Sequence, residues 1–574
     1  MKSVVSFFKS FSFRLILNVV MIPKSFQNFF NMRVYSVQLI FGSFSFSIFY
    51  FFLNRFNFNL NLNQYYLVSI YTAILLYFIA KLSSENNFEK YFILLLFFHT
   101  FLFYLSKFTN NKFISIICLG IFLLTFLYRK TTESTEFKYD NYVEKLISFL
   151  LGSIGSSYVI YTQVFRKLVT PLHEINILDG TFHHDSLLRA AIANMFYVTG
   201  VPTTGINNLN RINTHYFSEI YLSIFSNTIN PGESTIFNLY FFQIVFIPSV
   251  IFLLISKNRK VGNLFLFYLI LVSLTLVNSY WGTKSFNNLP FEVSVIFFIL
   301  GFDYLNQINK KKSISFGNLV LLSIILNLTF ISKVMTGLAL ALILIINLNF
   351  KKIDYRNLIM VVGLFSYPTI NILFITSIYT SSLKIWDADY KIQTSIVLFL
   401  LVLLNLYNLN KTHKLTLILL FTSSIIFSYF INSWNQSFFL EFMVFIFIVI
   451  TSREYIKSKN SIIFLAVLIF GLTFFKGGNL AIIKSNLFNA FPESSNEVNY
   501  EMEFGKLIKE YSNFINYDTV IIDSNSFVWD LGYSCQYRYL ITPALISKQI
   551  ITNPPDKFVD CKGYSINDET ISSG

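Results

Sequence analysis

The chain has 574 residues, of which 54% are hydrophobic, 19% are aromatic and only 13% are charged. Soluble domains carry about 25% charged residues, so the composition excludes an ordinary water-soluble protein, while 21 Gly and 3 Cys exclude collagen-like and disulfide-rich chains. The formal charge of +14 would indicate nucleic-acid binding in a soluble protein. Here the apolar residues fall in blocks of membrane length, so we expect membrane lipids and no nucleic acid as partners.

These apolar blocks predict an all-α polytopic membrane protein of about 15 transmembrane helices, because about 20 mostly apolar residues are needed to cross a bilayer as a helix. Five blocks precede a long polar segment: 34–53, 65–80, 91–107, 113–128 and 146–165. Ten follow it: 236–255, 263–278, 289–305, 315–332, 334–348, 357–378, 394–408, 415–433, 437–451 and 461–476. Only Lys333 divides the blocks 315–332 and 334–348.

The blocks divide the chain into five regions, and the basic residues orient them. An N-terminal region that is cytoplasmic or interfacial (1–33) precedes a five-helix membrane module (34–165), an outer loop (166–235), a ten-helix module (236–476) and a C-terminal domain (477–574). Cytoplasmic loops are enriched in Lys and Arg. Of the 44 basic residues, 25 lie in alternate segments and only seven in the short loops between them. We therefore expect a cytoplasmic N-terminus and an extracytoplasmic C-terminus in a plasma membrane.

The loop 166–235 is the first segment that could carry chemistry, since connections longer than about 15 residues are usually functional or disordered. Within 183–202, apolar side chains repeat with the spacing of one helical face: Leu187, Leu188, Ala191, Ile192, Met195 and Phe196. Asp185 stands at the predicted N-cap and Gly200 just past the end. The pattern predicts an amphipathic helix on the outer membrane surface, with its apolar face in the headgroup region.

Polar residues around this helix have two interpretations. Asp185 is either a helix cap, which contributes about 1 kcal/mol, or a functional acid, and these roles are compatible. His183 and His184 are either solvated residues or ligand-binding groups. Imidazole and carboxylate groups are common metal ligands. A divalent cation could therefore be held by four side chains of the loop: His183, Asp185, His215 and Asp179.

Further polar candidates lie toward the outer ends of later blocks. Lys333 could bind a lipid phosphate there, or it could be an interfacial lysine whose amine reaches water. Glu292 and Glu441 lie just inside two predicted spans, and intramembrane carboxylates usually face a cavity or a partner. Asp387 and Asp389 form an Asp-x-Asp pair in an outer loop, a secondary candidate for holding a divalent metal.

The C-terminal tail has a different residue pattern from the membrane blocks. Residues 497–515 predict an amphipathic helix and 517–526 a buried strand that ends in a turn. We therefore expect a small extracytoplasmic α/β domain over the outer face. Cys535 and Cys561 could pair in an oxidising compartment or remain free thiols.

The stretch DSLLRAAIANMFYVTGVPTTGINNLNRINTHYFSEIYLSIF, residues 185–225, resembles the first outer loop of GT-C glycosyltransferases, which use polyprenyl-phosphate sugars. The resemblance implies that Asp185 is the catalytic base or acceptor-binding acid. Asp179, earlier in the same loop, is a second candidate catalytic carboxylate. In two respects the chain departs from the family: five predicted spans precede the loop, and Ser186 follows Asp185 where a second acid is common.

Glycosyl transfer with inversion needs a carboxylate that accepts the proton of the acceptor hydroxyl, and cationic groups that stabilise the departing phosphate. Four residues predicted on the same side could supply the second requirement: Arg189, Arg211, His215 and Lys333. A polysaccharide polymerase or ligase, and a transporter or flippase, are the alternative functions. Transporters tend to show internal repeats and broken helices, whereas the polar residues of this chain gather at the predicted outer ends.

Overall fold

A computed structural model describes residues 72–79, 88–109, 184–205, 216–229, 289–353 and 409–430, and, with gaps, 238–256, 440–451 and 519–552, together with a few isolated positions. The described residues are mostly helical. The longer helices are α1 (Phe88–Thr109), α2 (His184–Thr199), α3 (Phe217–Ile229), α4 (Ile247–Ser256), α5 (Leu289–Asn309), α6 (Phe316–Ser332), α7 (Val334–Asn347) and α8 (Lys411–Phe430). A π-helical turn, Phe241–Phe246, leads directly into α4, and a 3-10 turn, Phe350–Lys352, follows α7.

Two of the described helices, α1 with 22 residues and α5 with 21, are long and apolar enough to cross a membrane. At 1.5 Å per residue each is about 30 Å long, which matches the hydrocarbon thickness of a bilayer. The helices α6 and α7 are apolar but shorter. Six of the 15 predicted blocks coincide with the observed helices α1 and α4 to α8. The blocks 113–128, 263–278 and 461–476 lie outside the described residues.

Lys333 divides two helices, as the sequence pattern indicated. Its backbone is extended, with φ −156° and ψ 118°, so it ends α6 and begins α7. At the far ends of this pair, Ile314 forms a parallel bridge with Ile353, and the Asn309 side chain donates to the Asn347 carbonyl at 2.8 Å. The helix α6 therefore runs antiparallel to both α5 and α7, which are parallel to each other. Lys333 lies at the end of this bundle that also holds the first turn of α5.

Two glycines let these three helices approach closely. A Cβ atom at Gly301 of α5 would lie 2.9 Å from the Leu340 side chain and 3.2 Å from that of Ile325. A Cβ atom at Gly337 of α7 would lie 2.5 Å from the Phe330 ring. Small residues at such contacts are common where apolar helices associate without a hydrophobic driving force.

The helix α2 confirms the predicted amphipathic segment, but its surroundings differ from the prediction. It ends at Thr199, and Gly200 follows with φ 76°, as the pattern indicated. It begins at His184, so Asp185 lies in its first turn rather than at the N-cap. Its apolar face packs on protein, since Phe196 stacks on Phe103 of α1 with ring centroids 6.2 Å apart. The expectation of an apolar face lying in the headgroup region was therefore wrong.

A second side of α2 is covered by Pro543 and Ala544 of the C-terminal region. Asn194, which is 6% exposed, donates from Nδ2 to the carbonyl oxygens of Pro543 at 3.0 Å and Ala544 at 2.8 Å. Leu540 and Ala544 are themselves fully buried. The sequence of the loop alone does not indicate this contact, because the residues that cover α2 lie about 350 positions further along the chain.

Two short strands of the C-terminal region form a parallel pair. The strand β1 (Thr519–Ile522) lies within the predicted strand 517–526, and it pairs with β2 (Gln549–Thr552) in the register Thr519 to Gln549. Parallel strands need a crossover connection, and here residues 523–548 provide it. The predicted helix 497–515 and the cysteines Cys535 and Cys561 lie outside the described residues.

A stripe of exposed apolar side chains runs along α1. Its members are between 49% and 90% exposed and recur every three or four residues: Leu94, Phe97, Phe101, Tyr104 and Phe108. This spacing places them on one helical face. A large contiguous apolar face is uncommon on a monomeric soluble protein and marks a protein or membrane contact.

Candidate functional site

A buried ion pair joins the two helices of the outer-loop segment. Arg189 of α2 donates from NH1 to Oε1 of Glu219 in α3 at 2.6 Å. The Ser218 hydroxyl donates to the other oxygen, Oε2, at 2.5 Å. The Glu219 side chain is fully buried and that of Arg189 is 11% exposed. Charge-assisted bonds of this kind are short and strong, so the pair fixes the first turn of α3 against α2.

Lys333 lies beside this pair, at the joint between α6 and α7. It is 3% exposed, although lysines are almost never buried without a partner. Burial, followed by the nearby positive charge of Arg189, lowers the pKa of Lys333 from 10.5 to about 7, while the carboxylates of Asp185 and Glu219 act in the opposite direction. The charges of Arg189, Asp185 and Glu219 are therefore all close enough to act on Lys333.

We call this group the Lys333 cluster; it consists of Asp185, Arg189, Glu219 and Lys333. Its two carboxylates balance its two cations when Lys333 is protonated, so the group carries no formal net charge in that state. The members differ in access, because Glu219 and Lys333 are buried and Asp185 is half-buried. Asp185 and Arg189 are therefore the members of the cluster that solvent reaches.

A second polar site lies in the first turn of α5. Glu292 is 2% exposed, and its Oε1 lies 3.5 Å from the Gln243 amide nitrogen. Gln243 belongs to the π-helical turn before α4, and such turns occur frequently at functional sites. Two residues along α5, the Ser294 hydroxyl is 2.9 Å from that of Thr336 in the first turn of α7. This contact ties the second site to the helix that Lys333 begins.

Glu441 lies at the same end of the bundle, on a separate helical segment. It is 8% exposed, and the ring of its neighbour Phe442 lies 5.3 Å from that of Phe291, beside Glu292. The carboxyl groups of Glu292 and Glu441 are therefore carried by adjacent helices in an apolar environment. We infer that the two predicted carboxylates belong to one end of the bundle.

The remaining predicted residues divide into two groups. His184 begins α2. The others lie outside the described residues: Asp179, His183, Arg211, His215, Asp387 and Asp389. Within the part of the chain that the structure describes, no group of three His, Cys, Asp or Glu side chains could hold a metal ion. The divalent-cation hypothesis for the outer loop thus stays a prediction.

The structure changes the expected role of Arg189 and adds residues that the sequence did not single out. Arg189 was predicted to bind substrate, yet one of its nitrogens is occupied by Glu219. Glu219 and Gln243 were missed. The available signal for Glu219 was its place beside Ser218 in the first turn of an apolar helix, and a buried charge in that position requires a cation.

Comparison with known proteins finds no family model, no curated protein and no solved structure that matches this chain. The function is therefore argued from the geometry of the site. The likeness of residues 185–225 to GT-C glycosyltransferases stays an interpretation of the sequence.

Proposed function

We propose that the chain is a multi-pass membrane glycosyltransferase of GT-C type, which moves a sugar from a lipid-linked donor at the outer membrane face. The observation that carries the proposal is the Lys333 cluster. A half-buried carboxylate, Asp185, lies near a buried amine and a buried ion pair at one end of an apolar helix bundle. A carboxylate and a cation in close proximity are the two groups that inverting transfer from a phosphate leaving group requires.

Membrane insertion is supported by the apolar surface of α1 and by helix length. The stripe from Leu94 to Phe108 covers most of the 22-residue helix, and lipid is the partner that fits an apolar face of this length. Exposed apolar residues also lie on α8, which has 20 residues: Leu415, Ile418, Leu419 and Ile426. The composition, with 13% charged residues in the whole chain, agrees with extensive contact with lipid.

The proposed topology has about 15 spans, a cytoplasmic N-terminus and an extracytoplasmic C-terminus. Contacts support it, because segments assigned to the same side meet at the same end of the bundle. Glu89 accepts a hydrogen bond from Gln307 at 2.9 Å, and both belong to segments assigned to the cytoplasm. Lys107 donates to the Tyr197 carbonyl at 2.6 Å, and both belong to segments assigned to the outside. The parallel strands support an outer α/β domain.

In the proposed reaction, the acceptor hydroxyl oxygen attacks the anomeric carbon of the donor. The bond from that carbon to the phosphate oxygen breaks, and its electron pair remains on the departing lipid phosphate. Asp185 accepts the hydroxyl proton, and protonated Lys333 stabilises the negative charge of the phosphate. Glu219 holds Arg189, so the ion pair orients α2 and thereby Asp185. Glu292 and Glu441 lie at the same end of the bundle, where they would contact polar parts of the substrate.

The test is transfer from radiolabelled polyprenyl-phosphate hexoses by the full chain in lipid vesicles. Asp185→Asn keeps the shape of the side chain and removes its basicity, so we expect transfer to fall at least a hundredfold with normal expression. Asp303→Asn is the matched control, since Asp303 is a half-buried aspartate nearer the opposite end of α5 and should retain transfer. Full activity of Asp185→Asn would refute the assignment.

The alternative functions give different results in the same vesicles. A transporter or flippase would move labelled lipid or solute across the membrane in response to an ion gradient, and it would form no glycosylated product. A polymerase or ligase would join preassembled lipid-linked chains and would not use a single-sugar donor. Donor binding that survives in Asp185→Asn but is lost in Lys333→Met would assign the phosphate contact to Lys333.

A further inference from the structure

Glu292 has a different environment from Glu219, another buried carboxyl group at this end of the bundle. The side chain of Glu219 receives two short hydrogen bonds, one of them from the Arg189 guanidinium. Among the described residues, the hydrogen-bond partner of Glu292 is the Gln243 amide at 3.5 Å, which is the outer limit of a hydrogen bond. Its second oxygen, Oε2, is buried without a hydrogen-bond partner among the described residues.

This difference decides the protonation state of the two groups. An ionised carboxylate in an apolar interior needs a cation or several hydrogen-bond donors, because desolvation strongly disfavours the isolated charge. Glu219 has both. Glu292 has one distant amide, which cannot replace the lost hydration of a full negative charge. The neutral carboxylic acid is therefore the form that this environment accepts.

Two other titratable groups lie on elements that pack against this end of α5. Glu441 lies on the helical segment that packs on α5 through the Phe291 and Phe442 rings. Glu441 is itself an acid, so it offers Glu292 no compensating positive charge. Lys333 precedes α7, which also contacts α5, but the carboxylates that interact with its charge belong to the Lys333 cluster.

We propose that Glu292 is a proton-binding site inside the helix bundle, separate from the Lys333 cluster, with Gln243 as the residue that orients its carboxyl group. The proton is held as the neutral acid, because no cation or hydrogen-bond donor among the described residues pairs with Oε2. The π-helical turn Phe241–Phe246 places the Gln243 amide beside the carboxyl group. The proposal goes beyond sugar transfer, and it does not depend on Asp185 being a base.

A hydrophobic carbodiimide tests the proposal, because such reagents enter lipid and react with protonated carboxyl groups. The full chain in vesicles is treated with dicyclohexylcarbodiimide at neutral pH, and labelled peptides are identified by mass spectrometry. We expect Glu292 to be labelled and Glu219 to remain unlabelled, although both are buried. Gln243→Leu should keep the labelling and Glu292→Gln should abolish it. Labelling of both carboxyl groups to the same extent, or of neither, would overturn the proposal.

Infrared spectroscopy provides a readout that does not depend on access of the reagent. The carbonyl stretch of a protonated carboxyl group lies apart from the bands of a carboxylate, so the difference spectrum between the wild type and Glu292→Gln should contain a lost protonated-acid band. An unchanged spectrum in that region would contradict the assignment. Because Glu292→Gln replaces one neutral group by another of the same shape, its unfolding midpoint should stay unchanged. Asp185→Asn should leave the labelling of Glu292 intact whether or not sugar transfer is lost.

Discussion

The ion pair between Arg189 and Glu219 makes the sharpest prediction about stability. Replacing Arg189 by Met keeps most of the side-chain volume and removes the cation. The Glu219 carboxylate would then remain fully buried, with the Ser218 hydroxyl as its one remaining hydrogen-bond donor among those that the structure gives. Removing one partner of a buried pair costs about 3–5 kcal/mol, because the other charge is left uncompensated in a region of low dielectric. We expect a loss of this size in the free energy of unfolding.

The reverse change should cost less. Glu219→Gln keeps an acceptor for Ser218, and the guanidinium of Arg189 is 11% exposed and can recover part of its hydration. We expect a loss of about 1–3 kcal/mol, the usual cost of leaving a buried group without its partner. The double variant should lose less than the sum of the two single variants, since each single variant already breaks the same interaction.

Denaturant unfolding in detergent micelles, followed by circular dichroism, measures all three variants. Lys107→Met is the matched control, because Lys107 makes a contact of the same 2.6 Å length but is exposed. Loss of an exposed hydrogen bond of this kind changes stability by about 0.5–1.5 kcal/mol, well below the loss expected for Arg189→Met. The reasoning fails if Arg189→Met behaves like Lys107→Met, or if the two single effects of the ion pair are additive.

The remaining predictions concern three other places in the fold. Burial lowers the pKa of Lys333 from 10.5 to about 7 in the folded chain, so the unfolded state should bind more protons between these values and stability should rise with pH there. Lys333→Met should flatten that rise in unfolding titrations, and an equally steep rise would contradict the assignment. Asn194→Leu should free Pro543 and Ala544 from α2, which limited proteolysis detects as faster cleavage near these residues; an unchanged rate would show that the two hydrogen bonds do not hold them. Gly205→Ala should destabilise more than Gly200→Ala, because both have positive φ but only a Cβ atom at Gly205 meets a side chain, that of Met195 at 2.7 Å. Equal unfolding midpoints of the two glycine variants would refute this steric reasoning.

The helices that the sequence predicted correctly are those with local signals. Six apolar blocks coincide with helices because a run of apolar residues long enough to cross a bilayer is also long enough to satisfy its own backbone hydrogen bonds as a helix. The end of α2 followed from Gly200, whose φ of 76° suits glycine and terminates a helix. The strand β1 followed from a short apolar run between turn residues.

The candidate site was predictable only in part. The pattern of the loop singled out Asp185, and the position of Lys333 between two apolar blocks singled out that residue. Nothing local connects either of them to Glu219. That residue reads as one of several acids in a polar loop until Arg189, 30 residues earlier in the chain, is placed against it.

By itself, the sequence determined that this chain is rich in apolar helices and that its few charged residues are unevenly distributed, because both properties depend on composition and on short-range periodicity. The tertiary structure decided which charges meet. It brought the first turns of α2 and α3 to the joint at Lys333, covered α2 with Pro543 and Ala544, and left Oε2 of Glu292 without a described partner. Pairing of charges is set by the packing of segments far apart in the chain, and the burial that makes such pairing necessary exists only once those segments have packed.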